Sequence, residues 1–450
     1  MSLEKLELFA EENPNGFIQY GVTDLDGVLR GKWISVQKAL QSMENGLGFC
    51  DVVFGWDIAD QCIPDLEVTG WQTGYPDAFC QLDFDTYRMH ESNQSMPLIL
   101  ADFEDSDGLH SSICPRSLLK RIVRKATQMG YHAEYAQELE WFNFSESAES
   151  IHDKNYQDPY TITEGMFGYS LLRLGKFQYL LETYLQAMAS LNIQVESFHT
   201  ETGPGVYEAA LAHTGILEAA DRAILFKYFT KKIFSQGGIL PSFMAKWNPN
   251  LPGCGGHIHQ SLWTLDKSVN LFWDENDKNG MSDIMKHFIA GQLYCLPHIL
   301  PMYAPTTNSY KRLVKGTWAP TSISWGIENR TTAVRVIHND PENMRAEMRI
   351  PGSDVNPYLA MAAALASGLY GIEHKLDLQN ATNGSAYMDE SLVSLPDSLL
   401  EATSHMYQST VAKELFGYTF VEHFAKTRFW EVHQYQEDSA WEIQRYFEAI

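Results

Sequence analysis

Basic residues are scarce in this chain. Its 450 residues carry 33 Lys and Arg against 57 Asp and Glu, a formal net charge of -24. That deficit argues against nucleic acid and anionic membrane surfaces as partners, since both attract cationic proteins. Long apolar runs are missing too: the stretch from Met361 to Ile372 is too short to span a bilayer, and the N-terminus MSLEKLELFAEENPNG lacks the basic and apolar regions of a signal peptide. The six cysteines (Cys50, Cys62, Cys80, Cys114, Cys254, Cys295) are scattered, with no C-x-x-C pair. They form no compact disulfide framework or closed zinc spacing and read as reduced thiols in a cytoplasmic protein. No Walker A loop is present; the nearest candidate, Gly168 through Gly175-Lys176, has the wrong spacing and no Ser or Thr after the lysine. Any nucleotide must be held by arginines and metal.

What the chain does have is 44% hydrophobic residues, enough for a sizeable core that we expect to split into two domains. The first hundred residues read as short strands and turns, with Phe17 to Thr23 and Val28 to Ser35 flanking the hairpin signal Asp26-Gly27. From Pro115 the pattern turns helical, which puts a boundary near residue 110. Beyond it, helical segments (Phe177 to Leu191, Ile216 to Ser235, Ser282 to Leu296, Pro357 to His374, Asp397 to Phe416, Ser439 to Glu448) alternate with strands. The alternation predicts an α+β fold, one curved sheet with helices on its outer side.

Three strands carry charge at every second position: Glu138-Leu139-Glu140, His257-Ile258-His259 and Arg345-Ala346-Glu347-Met348-Arg349. Residues i and i+2 of a strand share a face, so each aims its polar groups one way and its apolar spacers the other. Carboxylates suit a hard divalent cation. A second acidic pair, Glu201 and Glu208, brackets a Gly- and Pro-containing stretch able to reverse sharply and bring both acids to one locus. The two histidines follow Gly253-Cys254-Gly255-Gly256, share a face with Ser261, and suit metal or phosphate. From Lys311 to Arg349 the chain is locally basic, and arginine offers planar bidentate donors to carboxylate and phosphate.

Taken in order, Glu138-Leu-Glu140, Glu201-x6-Glu208, Gly255-Gly-His-Ile-His-Gln-Ser261, Asn308-Ser-Tyr-Lys-Arg-Leu-Val314, Glu328-Asn-Arg330 and Arg345-Ala-Glu-Met-Arg-Ile-Pro351 resemble the glutamine synthetase superfamily. The resemblance implies an N-terminal β-grasp domain over residues 1–109 and a catalytic domain with a curved antiparallel sheet over 110–450. It implies homo-oligomeric rings, a dodecamer of two hexamers, with active sites shared between subunits. It also implies two-step ligation: glutamate attacks the terminal phosphate of ATP, and an amine then displaces phosphate. By the family pattern Glu140, Glu201 and Glu208 hold one Mg2+ or Mn2+, and Glu138, His257 and Glu347 a second. Arg330 resembles the residue that steadies the transferring phosphoryl group, Arg349 the one beside the γ-carboxylate, and Arg312 the α-carboxylate clamp. Gly253 and His257 fall in the glutamate site; His259, Ser261, Arg335 and Arg345 fall where the family binds ATP.

One departure bears on the substrate. Glutamine synthetases carry Tyr-Glu before Ala-Pro, where this chain has Lys315-Gly316-Thr317-Trp318-Ala319-Pro320. The missing glutamate attracts ammonium; an indole cannot. The expectation is therefore a γ-glutamyl ligase of the kind acting on alkylamines, polyamines or anilines, with Asp57 of the adjacent subunit as a remaining acid near the amine. The rivals are an ammonia-using glutamine synthetase, a non-catalytic structural ring protein, and, from the acidic pairs, a metallohydrolase that would leave the arginine cluster without an anion.

Overall fold

The computed structural model describes residues 2–90, 96–103, 108–338, 340–436 and 438–450. Two sheets divide the strands. The first is built from β1 (Phe17–Thr23), β2 (Leu29–Ser35), β3 (Leu47–Cys50), β4 (Asp77–Arg88) and β5 (Leu98–Phe103) in the order β2-β1-β5-β4-β3, with β1 and β5 parallel at its centre, as in a β-grasp sheet. The Asp26-Gly27 turn joins β1 to β2, and Gly27 takes the φ of +84° that such a turn asks of glycine.

Two helices interrupt this region, Ser2–Glu12 and Val36–Asn45, where strands and turns were expected. The second starts directly from β2, because the Ser35 side chain accepts the Lys38 N–H, and Gly46 at φ 61° ends it.

The larger sheet holds β6 (His132–Phe144), β7 (Val195–Thr200), β8 (Val206–Leu211), β9 (Thr214–Gly215), β10 (Leu240–Ser242), β11 (Ile258–Trp263), β12 (Trp325–Ile327), β13 (Val334–Ile337) and β14 (Arg345–Met348). Its order is β12-β13-β14-β11-β6-β8-β7, with β9 and β10 also pairing β6; nearly all pairings are antiparallel. Strand β6 is its spine: Ala133, Tyr135, Gln137, Leu139 and Trp141 are buried on one side, leaving Glu134, Glu138 and Glu140 on the other. The first sheet uses only residues up to 103 and the second only residues from 132; from that segregation we propose a domain division near residue 110.

Helices back the larger sheet. The helix Pro357–Glu373 is buried along nearly its whole length, and it crosses Asp283–Ile299 so closely that a Cβ on Gly371 would lie 2.0 Å from the His287 carbonyl oxygen. The helix expected from Asp397 to Phe416 is broken in two, Leu399–Gln408 and Thr410–Phe416, since Ser409 leaves helical geometry and caps the second piece through Ala412 N–H. The β1–β2 turn docks on this layer: Arg428 pairs with Asp26 at 2.7 Å and Asn356 donates to the Asp24 carbonyl at 2.8 Å.

Candidate active site

Strands β6, β11 and β14 lie side by side, so the alternating triplets meet. Antiparallel register sets Ile258 opposite Gln137 and Met348, and His259 opposite Glu347. The spacers Leu139, Ile258 and Met348 are fully buried in the core, which turns the charged partners to the opposite, concave face. Strand β8 adds Glu208 directly opposite Glu140, and the turn after β7 brings Glu201 back beside it.

Two groups of ligand-bearing side chains result: Glu138, His259 and Glu347, and His199, Glu201 and Glu208, each with atoms within 4.8 Å of one another. In the first group His257 also approaches, its Nδ1 3.3 Å from Glu138 and 3.5 Å from Glu347. The family pattern assigned His257 to the metal and His259 to ATP; both imidazoles reach the same carboxylates here. Glu140 sits at the edge of the second group and accepts the Gly255 N–H at 2.7 Å. Burial and then Glu208 push its carboxyl up to about 8. A further cation close by would favour its ionised form, and these carboxylate-rich groups fit divalent Mg2+ or Mn2+.

His199 partly plays that cation's part. Its hydrogen bonds to Glu201 and Glu208, 3.1 and 3.4 Å away, raise it to about 10. Sequence reasoning passed over it, although His199-Thr200-Glu201 repeats the alternation that marked the other strands. Tyr169 was missed as well. Its ring stacks on His199 at 4.7 Å and 10°, its hydroxyl hydrogen-bonds Glu201, and the charge of Arg330 acts on it. The Arg330 side chain is exposed, and its carbonyl accepts Arg349 Nε–H.

The other arginines line the opposite side. Arg349, almost wholly buried, bonds Glu347, the Arg330 carbonyl at 3.2 Å and the Trp318 carbonyl at 3.4 Å. Against the pull of burial, Arg349 and the two histidines hold the Glu347 carboxyl down to about 2. Arg312 donates to the Ile350 carbonyl at 2.8 Å and lies 3.5 Å from His257. Gly253 makes room for it, because a Cβ there would come within 2.9 Å of Arg312 Cγ and 2.4 Å of the Ala245 oxygen. Arg335 bridges Glu347 at 3.0 Å and Glu328. His259, Ser261 and Arg345 share a cavity of about 240 Å3 that also borders Glu138, Trp263 and Asn343; Arg345 donates to His259 Nδ1 at 3.1 Å.

Asp57 is held from several sides. It is 3% exposed; one oxygen accepts the N–H groups of Ala59 and Gln61, and the other accepts Trp430 at 2.9 Å and Arg445 at 2.8 Å. Both oxygens are occupied within their own chain. Trp318 is 66% exposed, at a left-handed φ of 62°.

Comparison with known proteins agrees with this geometry. Residues 112–446 match the glutamine synthetase catalytic domain. The chain is 46% identical to type-1 glutamine synthetase 2 of Dictyostelium discoideum over 96% of this chain and 84% of that protein. It is 34% identical to a glutamate–isopropylamine ligase of a Pseudomonas species, over 99% and 98% of the two chains, and 33% identical to a gamma-glutamylethanolamide synthetase of Streptomyces coelicolor, over 100% and 96%. Among solved structures, GmaS in complex with ADP superposes with a TM-score of 0.82 at 27% identity over 98% of both chains. The metal-capable acids and the arginines opposite them thus stand in a catalytic domain whose match covers most of the sequence, and the chain belongs to the glutamine synthetase family.

Proposed function

We propose that the protein joins glutamate to an organic amine, alkyl, poly- or aromatic, at the expense of ATP. A γ-carboxylate oxygen of glutamate attacks the terminal phosphorus of ATP and ADP leaves; the neutral amine nitrogen then attacks the acyl carbon, and phosphate departs with the proton the nitrogen loses, giving a γ-glutamyl amide. In this reading Arg312 clamps the α-carboxylate beside Gly253 and His257, Arg349 orients the γ-carboxylate, and Arg330 steadies the phosphoryl group in transit. His259, Ser261, Arg335 and Arg345 hold the nucleotide. Divalent cations, held by Glu140, Glu201 and Glu208 and by Glu138, Glu347 and the paired histidines, would neutralise charge on the phosphate oxygens. We place the enzyme in the cytoplasm, as a ring of two hexamers; its six cysteines are unpaired, and among the described residues no helix is long and apolar enough to cross a membrane.

The observation that carries the choice of amine is Trp318, an exposed indole where an ammonia site needs a carboxylate. The relatives named for isopropylamine and ethanolamide chemistry support it. The 46% identical relative named a glutamine synthetase favours the second reading, ammonia as the substrate. Phosphate release with glutamate, ATP and a panel of amines separates them. Turnover with organic amines well above that with ammonium is expected, and Trp318→Glu should shift the preference toward ammonium by about tenfold or more. Fast turnover with ammonium alone, unchanged by Trp318→Glu, overturns the proposal.

A further inference from the structure

The steps above leave one hollow beside the arginines unused. A cleft of about 510 Å3 opens between Trp318, the segment 327–331 and the segment 381–385. Its apolar lining is Trp318, Ile327 and Ala381, and Asn329, Thr331 and Asn383 add polar groups. Arg330 also lines it, and the Arg330 carbonyl accepts Arg349 Nε–H at 3.2 Å. The cleft therefore adjoins Arg349 and Arg330, the residues we assign to the γ-carboxylate and the phosphoryl group, and includes the indole in its lining.

Its walls are tied in place. Asn329 Nδ2 donates to the carbonyls of Thr382 and Gly384 at 3.2 and 2.7 Å, and the Ala386 N–H donates to Thr331 Oγ1 at 2.9 Å. Across the gap the Tyr387 hydroxyl donates to the Ala319 carbonyl at 2.9 Å, joining the far wall to the loop that carries Trp318. That loop is fixed from below by Arg349 on the Trp318 carbonyl and by the Thr317 hydroxyl on the carbonyls of Arg312 and Val314, at 3.2 and 2.8 Å. A left-handed φ at a bulky aromatic residue is strained and persists only when its surroundings enforce it. Here the enforcement keeps the indole in the lining of a ready-made space, so a ligand body entering it spends little on ordering the protein.

The charges of the cleft are as telling as its shape. Its one lining carboxylate, Glu328, meets Arg335 through a single oxygen, 3.1 and 2.5 Å from Nε and the second guanidinium nitrogen, and its other oxygen lies 3.7 Å from His338. Arg330 contributes positive charge. A ligand carrying a second ammonium group beside Arg330 would meet like charge, whereas an aromatic ring could stack on Trp318.

We propose that this cleft receives the body of the amine and selects primary monoamines with an uncharged aromatic body over diamines and polyamines. The inference rests on the amine-ligase reading and narrows it. Benzylamine and putrescine, with ammonium as reference, test it by phosphate release in the wild-type enzyme and in Asn383→Trp, Ser385→Trp and Asn383→Asp, all at exposed positions. Benzylamine should exceed putrescine in kcat/KM by about tenfold or more. Either tryptophan variant should raise KM for benzylamine by about tenfold while KM for glutamate and ATP stays put, and Asn383→Asp should move the preference toward putrescine. Organic-amine turnover with putrescine preferred, or with benzylamine KM unmoved in both tryptophan variants, overturns the cleft assignment and leaves the ligase reading standing. Turnover with ammonium alone overturns the ligase reading, and the cleft assignment with it.

Discussion

Replacing Asp57 by asparagine separates a structural acid from an amine-binding one. Asp57 lies 3% exposed between Arg445, Trp430 and the backbone of its own loop, and Arg445 is shared with Glu431 at 2.6 and 2.9 Å. All four partners of the Asp57 carboxylate are donors. An asparagine amide must therefore turn its NH2 either toward Arg445 and Trp430 or toward the Ala59 and Gln61 N–H groups, and in neither orientation does it find an acceptor. Removing one partner of a buried pair costs about 3–5 kcal/mol; because Glu431 still neutralises Arg445, we expect a loss nearer ~2–4 kcal/mol. The check is thermal melting at fixed protein concentration, which matters for an oligomer, together with amine kinetics below the variant's transition. Melting should fall clearly, with KM for the amine changed less than about threefold. An unchanged melting temperature with an amine KM raised by about a hundredfold would refute the argument, and return Asp57 to the substrate.

Gly253→Ala should push a Cβ into the Ala245 oxygen and the Arg312 side chain; KM for glutamate is expected to rise about tenfold or more, with KM for ATP little changed, as steady-state kinetics in each substrate would reveal. His423 gives a pH signature. Buried against the Phe54 carbonyl at 2.8 Å and flanked by Asp51, His110 and Lys426, it is pushed down to about 4 by burial. The unfolded chain takes up a proton below about 6.5 while the folded chain resists until about 4, so stability falls as pH drops through that window, by up to ~3 kcal/mol. Melting temperature should therefore decline less steeply between those values in His423→Gln than in the wild type; parallel slopes would show that His423 does not contribute.

How much of this was legible in the sequence depends on whether the information was local. The alternating triplets of β6, β11 and β14 declared a polar face because strand periodicity is a two-residue rule, and the apolar spacers confirm which side is core. His199 obeys the same rule, two residues before Glu201 on β7, and its place beside Glu208 comes from the pairing of β7 with β8. The helix Val36–Asn45 also had local signals, a serine cap and Asn45-Gly46 as a stop, but no gap separates it from β2, and a short amphipathic run after a strand reads as more strand.

Asp57 shows the opposite case. Its fate was decided by Arg445, 388 residues further on, and no spacing rule connects two such positions. Tyr169 likewise reaches the metal-capable acids only because it adopts a left-handed φ of 55° and stacks on His199. The same division runs through the site as a whole. Residues that meet phosphate, glutamate and metal lie on paired strands, where register fixes their positions and periodicity exposes them. The residues we assign to the amine, Trp318 and the segment 381–385, lie outside the named strands and are joined by single tethers such as Tyr387 to Ala319. Substitutions there leave the strand register untouched, which allows the choice of amine to change while the phosphoryl-transfer chemistry is retained.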